Sequence, residues 1–488
     1  MYLGLDLGTS GLRAILMDSA GTVVASSDQA YPVAHPHAGW SEQDPADWIT
    51  GCSGAIADLR ANAPDQFAAV QGIGLSGQMH GAVLLDAADQ VLRPAILWND
   101  TRSADQARRL DAAADVRELS GNIVFPGFTA PKLMWCAANE PDIFDRVAKV
   151  LLPKDYLRLW LTGEHVSEMS DAAGTSWLDV GRRQWSDRLL ERSGMRPDQM
   201  PRLVEGSAPS GVLRRTLCQE WRLSGTVTVA GGGGDNAAAA CGTGCVEEGG
   251  GFVSLGTSGV MLVARDCYAP APDTAVHTFC HALPGRWLQM GVILAATDCL
   301  NWLARNLGQS PADLAGLADR MADDLTPPGD LMFLPYLSGE RTPHNDAHIR
   351  AAFVGLDVAH GPADLVQALM RGVAFALRDS LAALRATGAA PSQLLAIGGG
   401  AQSRYWLRIL ATVLDLPLMR PAAGELGAAL GAARLAQVAA TGSAPRVVMT
   451  PPQAGDVILP DPALTAAYED AWHRYRALYK ALKPREKP

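Results

Sequence analysis

The sequence predicts an α/β protein of two similar domains facing a cleft. Three observations predict it: the length, a strand–turn–strand unit that opens the chain, and the return of that unit past its midpoint. At 488 residues the chain is too long for one hydrophobic core. Leu7-Gly8-Thr9-Ser10-Gly11 comes back as Leu255-Gly256-Thr257-Ser258-Gly259, each copy lying between two β-rich runs. Five identical residues are weak evidence in a glycine-rich chain, but the matching strand context favours duplication.

In chain order, Tyr2-Leu3-Gly4-Leu5 reads as a strand, Leu12 to Met17 as a second, and Thr22-Val23-Val24-Ala25 as the start of a third. Three such strands in a row make a β-meander. A helix is expected over Pro45 to Leu59, then a strand pair from Val70 to Leu85. In the second half, Leu365, Leu369, Val373, Ala376, Leu377 and Leu384 mark one face of a long helix. A strand, Leu394 to Ile397, follows it. Arg446 to Leu459 reads as a connection to a terminal helix, with Asp461 as N-cap, Pro462 at its first position and Pro484 closing it. That helix presents Tyr468, Trp472, Tyr475, Tyr479 and Leu482 on one face.

Composition narrows the function. With 48% hydrophobic and 19% charged residues the chain is ordinary globular material. A net charge of −10 without a basic patch argues against nucleic acid and anionic membrane surfaces. No apolar run approaches the roughly 20 residues of a membrane span. Eight cysteines without a CxxC pair, and an opening without the basic and apolar regions of a signal peptide, lead us to expect free thiols in the cytoplasm.

Three segments could carry chemistry. Asp6-Leu7-Gly8-Thr9-Ser10 puts a carboxylate at a strand end before a Gly-Thr turn, an arrangement that offers backbone N–H groups to a phosphate and a carboxylate to Mg²⁺. A plain β-turn would explain one copy; the second copy, with Ser254 in place of Asp6, favours function. Gly231-Gly232-Gly233-Gly234-Asp235-Asn236 lets the backbone approach a ligand and opens an Ala-rich helix with a carboxylate suited to a base. The plainer alternative is that Asp235 is only a cap. Gly398-Gly399-Gly400-Ala401-Gln402-Ser403, between a strand and a helix, is a third close-approach loop.

Other signals are set aside. Gly72-Ile73-Gly74-Leu75-Ser76-Gly77 matches a dinucleotide fingerprint, yet the residues after it read as a strand, so a pyrophosphate has no helix N-terminus. His277, Cys280 and His281 lack a second cluster at zinc spacing. No Gly-Lys pair exists, which excludes a Walker A loop, and lysine is absent from 155 to 479.

These segments resemble the FGGY carbohydrate kinases, and the resemblance runs through nearly the whole chain. It includes Trp40-Ser41-Glu42-Gln43-Asp44-Pro45, Ser76-Gly77-Gln78-Met79-His80-Gly81, Leu97-Trp98-Asn99-Asp100, Gly127-Phe128-Thr129-Ala130-Pro131-Lys132-Leu133 and Leu152-Pro153-Lys154-Asp155-Tyr156. It continues through Gly234-Asp235-Asn236 and Leu334-Pro335-Tyr336-Leu337-Ser338-Gly339-Glu340-Arg341-Thr342-Pro343. The resemblance implies two actin/hexokinase-like (ribonuclease H-like) domains, residues 1–245 and 246–440, with 455–488 packing back on the body. It implies ATP and Mg²⁺ as cofactors and a small sugar as partner, with no nucleic acid or membrane. Oligomeric state stays open, a homodimer included.

The residue roles follow by the same resemblance. Asp235 would be the general base and, with Asp6, would lie at the metal. Gln78, Met79, His80, Trp98 and Asn236 would line the sugar site beside Asp235. Gly8, Thr9, Ser10, Gly256, Thr257, Asn345, Gly399, Gly400, Ala401 and Ser403 would line the nucleotide side. Gln78-Met79-His80-Gly81 resembles the sugar site of those members that act on D-xylulose, which makes D-xylulose the expected substrate. Kinases of ribulose, fuculose, gluconate or glycerol are the alternatives within the class. An Hsp70- or actin-like ATPase switch is the alternative outside it.

Overall fold

The computed structural model describes residues 1–320, 325–422 and 427–483; Pro484, the expected helix stop, lies outside them. In the N-terminal half, Tyr2–Leu7, Gly11–Met17 and Val23–Ala30 form the expected antiparallel meander. Gly72–Gly77 joins the open side of Tyr2–Leu7 in parallel, and Thr228–Ala230 joins Gly72–Gly77 in parallel. Pro209–Val212 closes that edge antiparallel.

The C-terminal half repeats the plan. Gly251–Leu255, Gly259–Arg265 and Trp287–Ile293 form the second meander, extended by His277–Cys280. Leu394–Ile397 and Leu418–Pro421 add in parallel, and Ala454–Ile458 closes the edge antiparallel. The meander and the first parallel strand recur in the same order in both sheets, which supports the duplication that the five-residue repeat suggested. The far edge strand precedes its neighbour in the first half and follows it in the second.

Strand alternation decides what each sheet face meets. Leu3, Leu5 and Leu7 point into a core with Trp48, Ile56 and Leu59 of helix Pro45–Asn62. Tyr2 faces the other way, onto Ala429, Ala433 and Ala436 of helix Gly427–Thr441. That helix lies so close that a Cβ on Gly4 would stand 2.1 Å from the Ala429 carbonyl oxygen. So a helix from the stretch assigned to the C-terminal domain covers the N-terminal sheet. Helix Asp235–Thr243 packs Ala237, Ala240 and Cys241 among Phe252, Leu262 and Ile397 of the C-terminal sheet. The two helices cross where Gly431 meets Ala238, a Cβ on Gly431 falling 1.7 Å from the Ala238 carbonyl oxygen. This crossing joins the halves behind the cleft.

Several expectations need correction. Val83–Leu85 does not pair with Gly72–Gly77 but with Lys149–Leu151, because the central sheet already uses both edges of Gly72–Gly77. The stretch from Arg446 to Leu459 is more than a connection, since Ala454–Ile458 completes a sheet. The terminal helix runs Thr465–Leu482 and lacks a side-chain cap; Asp461 and Pro462 form a turn ahead of it, Asp461 accepting from the Ala463 N–H at 3.1 Å. Tyr468, Trp472, Tyr475 and Tyr479 are buried as expected, whereas Leu482 is 43% exposed. The long helix spans Pro362–Ala386 and buries its apolar face.

Candidate functional site

The parallel registers gather residues far apart in sequence. Asp6 pairs with Ser76, and Ser76 pairs with Gly233 on its other side, so three strand ends stop at one level. Asp235 starts its helix two residues beyond Gly233. Its Oδ1 accepts from the Asn236 N–H at 2.7 Å and from Asn236 Nδ2 at 2.9 Å. Burial, aided by the negative charge of Asp6, raises the Asp235 carboxyl to about 6. Burial likewise raises Asp6, with the Arg13 charge opposing it. Among the described residues neither carboxylate forms an ion pair. Two uncompensated carboxylates at one cleft floor suit a divalent cation and a hydroxyl proton.

The four glycines before Asp235 serve a purpose other than the one expected. Cβ atoms on Gly231 and Gly232 would fall 2.2 Å from the Glu205 carbonyl oxygen and 2.1 Å from that of Leu75, so the close approach is to protein backbone. Arg158, fully buried, donates to the carbonyls of Ala230 at 2.6 Å and Gly231 at 2.5 Å. Ser170 accepts the Gly234 N–H at 3.0 Å and donates to Glu168 at 2.8 Å. Glu168, Asp171 and Asp155 surround the Lys154 ammonium, all without exposure. Asp235 is therefore mounted on a rigid, charged backing.

Beside Asp235, Met79 is packed against Gly234, where a Cβ would meet Met79 Cγ at 2.8 Å. His80 has φ +68° and lies flat on Phe128, ring centroids 4.5 Å apart. Its carbonyl accepts from Lys132 Nζ at 2.8 Å and Thr129 Oγ1 at 3.1 Å. Burial lowers the imidazole to about 3, so the ring is neutral near pH 7. Nδ1 lies 2.7 Å from the Gly174 carbonyl oxygen, which can only accept; Nδ1 carries the hydrogen and Nε2 is left as an acceptor. Burial also lowers Lys132 to about 7.

Gln78, Thr9 and Trp98 form one chain. Thr9 Oγ1 donates to Gln78 Oε1 at 3.1 Å and accepts from Trp98 Nε1 at 3.0 Å. Gln78 Nε2 donates to Gln43 Oε1 at 2.9 Å, and Gln43 Nε2 holds the Thr9 carbonyl at 2.6 Å. Thr9 thus ties the Asp6 loop to Gln78 and Trp98, and the Trp98 ring stays 48% exposed. Gly8 closes the turn through its N–H to the Gly11 carbonyl at 2.9 Å, and the Ser10 carbonyl accepts from the Tyr31 N–H at 3.2 Å.

In the second copy, Thr297 Oγ1 donates to the Gly256 carbonyl at 2.8 Å and the Ala296 N–H to that of Thr257 at 2.8 Å, fixing the turn. Leu394–Ile397 pairs with this strand and ends at Gly398. Gly399 is open on its Cα side, with no heavy atom within 4 Å of an added Cβ, whereas Gly400 and Ala401 are buried. Ser403 caps helix Arg404–Leu414 and donates to Asp319 Oδ1 at 2.6 Å. Asn345 is exposed at φ +44° in the loop after Arg341, a loop packed on the terminal helix through the stacked His344 and Tyr479 rings.

Residues 1–242 match the N-terminal domain of the FGGY family of carbohydrate kinases, and residues 251–440 match its C-terminal domain. The chain belongs to the FGGY family of carbohydrate kinases. A xylulose kinase of Escherichia coli (strain K12) is 46% identical over 99% of both chains. A crystal structure of a xyloylose kinase from Brucella ovis is 57% identical with a TM-score of 0.97, and a xylulose kinase structure from Rhodospirillum rubrum is 31% identical at 0.91; each covers 99% of both chains. The fold of the FGGY kinases is thus the fold of this chain, and the protein is a carbohydrate kinase.

Sequence reasoning left Gln43, Arg158, Ser170 and Gly174 without roles, and their signal was faint. Arg158 and Ser170 act on backbone more than sixty residues away, which no local pattern reveals. Among the described residues no group of three His, Cys, Asp or Glu side chains could hold a metal alone, and no helix is long and apolar enough to cross a membrane. His277, Cys280 and His281 are buried, as expected of core residues.

Proposed function

We propose that this kinase transfers the γ-phosphoryl group of ATP to the terminal hydroxyl of D-xylulose, giving D-xylulose 5-phosphate. The observation that carries the reading is Asp235: a carboxylate with no ion pair among the described residues, raised to about 6, between the Asp6 loop and the Met79-His80 pair. Asp235 takes the proton of the sugar hydroxyl as its oxygen bonds to the γ-phosphorus and the bond to the leaving ADP breaks. A base in this position contributes on the order of 10²–10⁴-fold. Neutral His80 accepts a sugar hydroxyl at Nε2, and the Trp98 face covers the sugar. The fixed turn at Gly256 and Thr257 and the open Gly399 support the nucleotide side. Mg²⁺, held at Asp6 and Asp235, would neutralise phosphate charge in a loose transition state. The naming of the relatives as xylulose kinases supports the choice of sugar. Eight unpaired cysteines support a cytoplasmic location.

The test follows ADP release with Mg·ATP against D-xylulose, L-xylulose, D-ribulose, L-ribulose, L-fuculose, glycerol, gluconate and no sugar. D-xylulose should be strongly preferred with little sugar-free turnover. Preference for another polyol would overturn the reading of Met79 and His80. Turnover indifferent to every sugar would mark an ATPase switch.

A further inference from the structure

The reaction as described leaves one partly buried cation without a task. Arg341 belongs to the C-terminal half, yet its guanidinium stands over the ring of Phe125 at 4.6 Å, and Nη1 lies 3.4 Å from His277 Nε2. Among the described residues no carboxylate pairs with it. Its neighbour Glu340 turns away: Oε1 accepts from the Leu294 N–H at 2.9 Å and the Arg341 N–H at 2.7 Å. Burial raises that carboxyl to about 8, so it offers little countercharge near pH 7. A guanidinium partly withdrawn from water without an anion is a ready donor to a ligand, and among the described residues its five N–H donors have one long contact to protein.

The aromatic wall places this cation relative to the sugar. His277 stacks on Phe279 at 5.4 Å and meets Phe128 at 6.1 Å, and Phe128 lies on His80. Next to His80 in the chain, Met79 packs against Gly234, which leads into Asp235. A chain of contacts thus runs from Arg341 through His277, Phe128 and His80 to Met79 and the residue before Asp235. The loop bearing Arg341 is held from behind by the terminal helix, through Tyr336 to Tyr475 at 2.7 Å and Tyr479 to Asp346 at 3.1 Å.

We propose that Arg341 is a substrate-contacting, specificity-determining residue that donates from its planar fork to the oxygens at the carbonyl end of the ketose, while Asp235 engages the hydroxyl at the other end. This rests on the sugar reading above. An open-chain 2-ketose presents a carbonyl oxygen beside a hydroxymethyl oxygen, two adjacent acceptors that suit a fork better than a point charge. Reduction of the carbonyl to an alcohol removes the planar acceptor, so xylitol and D-arabinitol should be selected against. The contact also makes sugar binding depend on both halves of the molecule.

The experiment measures steady-state ADP release for the wild type, Arg341→Ala and Arg341→Lys with D-xylulose, xylitol and D-arabinitol. Arg341→Ala is expected to raise the KM for D-xylulose about tenfold or more, leave that for Mg·ATP within about twofold, and shrink the kcat/KM preference for ketose over polyol about tenfold. Arg341→Lys, which keeps the charge, should fold even if the alanine variant does not, recover part of the affinity and little of the selectivity. Unchanged sugar KM and selectivity in Arg341→Lys and Arg341→Ala would overturn the assignment. So would equal rises in both KM values, the mark of a purely structural role. A wild type that ignores D-xylulose but turns over another sugar would instead overturn the substrate reading, and this inference with it.

Discussion

Asp6 and Ser254 hold the same position in two copies of one unit. Each is the penultimate residue of a central strand, opposite Arg13 or Val260 in the meander and opposite Ser76 or Ile397 in the parallel neighbour. The copies part company beyond that neighbour. Gly72–Gly77 runs into Gln78, Met79 and His80, whose side chains pack and hydrogen-bond among themselves and their neighbours. Leu394–Ile397 runs into Gly398 and Gly399, which present backbone alone. One backbone plan thus gives a side-chain surface able to read hydroxyl groups and a bare surface able to admit a phosphate chain. On the proposed reading a carboxylate is useful on the first and repulsive on the second, in keeping with serine at 254.

The comparison can be broken by experiment, the largest effect first. Asp235→Ala should lower kcat about 10³-fold while nucleotide binding, followed by calorimetry with ADP, survives. Loss of both together would remove Asp235 from the base role. Asp6→Ser should lower kcat about 10²-fold, whereas Ser254→Asp should chiefly raise the KM for ATP, about tenfold. If the two changes had the same kinetic signature, the proposed division of labour would be wrong. His80→Ala should raise the KM for sugar about tenfold and that for ATP little.

Smaller effects probe the helix crossing and the titration. Gly431→Ala presses a methyl group into the Ala238 carbonyl and should cost about 1–3 kcal/mol, read as a lower Tm. Because Asp235 is raised to about 6, kcat should fall as pH drops through that value and the base becomes protonated. The same shift has a stability sign. A carboxyl whose folded pKa lies above its unfolded value of 3.8 weakens the fold above pH 6, where the native state must hold the charge. Asp235→Asn should therefore raise Tm by about 1–2 °C at pH 7.5, the gain fading as pH falls from 6 toward 4.

Much of the fold was legible. The first meander, the helix at Pro45 and the long helix over Pro362–Ala386 follow from alternation and from apolar spacing, which are local properties of the chain. Errors fell where pairing is a choice among distant partners. Val83–Leu85 looks like the mate of the strand before it, and nothing nearby says that Lys149–Leu151 is the partner instead. Asp461 has every local mark of a helix cap, yet the helix starts at Thr465, where burial of Tyr468 and Trp472 sets the docked segment. The glycines before Asp235 announced a close approach correctly but could not say what approaches: the answer is the backbone of Glu205 and Leu75.

The amino-acid sequence sets two like halves, the turn after Asp6, the helix that begins at Asp235 and the unusual run of glycine before it. Each depends on residues within a few positions, through steric limits on the backbone and the periods of strand and helix. Tertiary structure alone decides that Asp6, Ser76 and Gly233 stop at one level, that helix Gly427–Thr441 crosses to the opposite sheet, and that Arg341 reaches Phe125. Those outcomes depend on parallel register and on burying whole faces of sheets and helices. Both are fixed only when segments hundreds of residues apart compete for the same apolar surface.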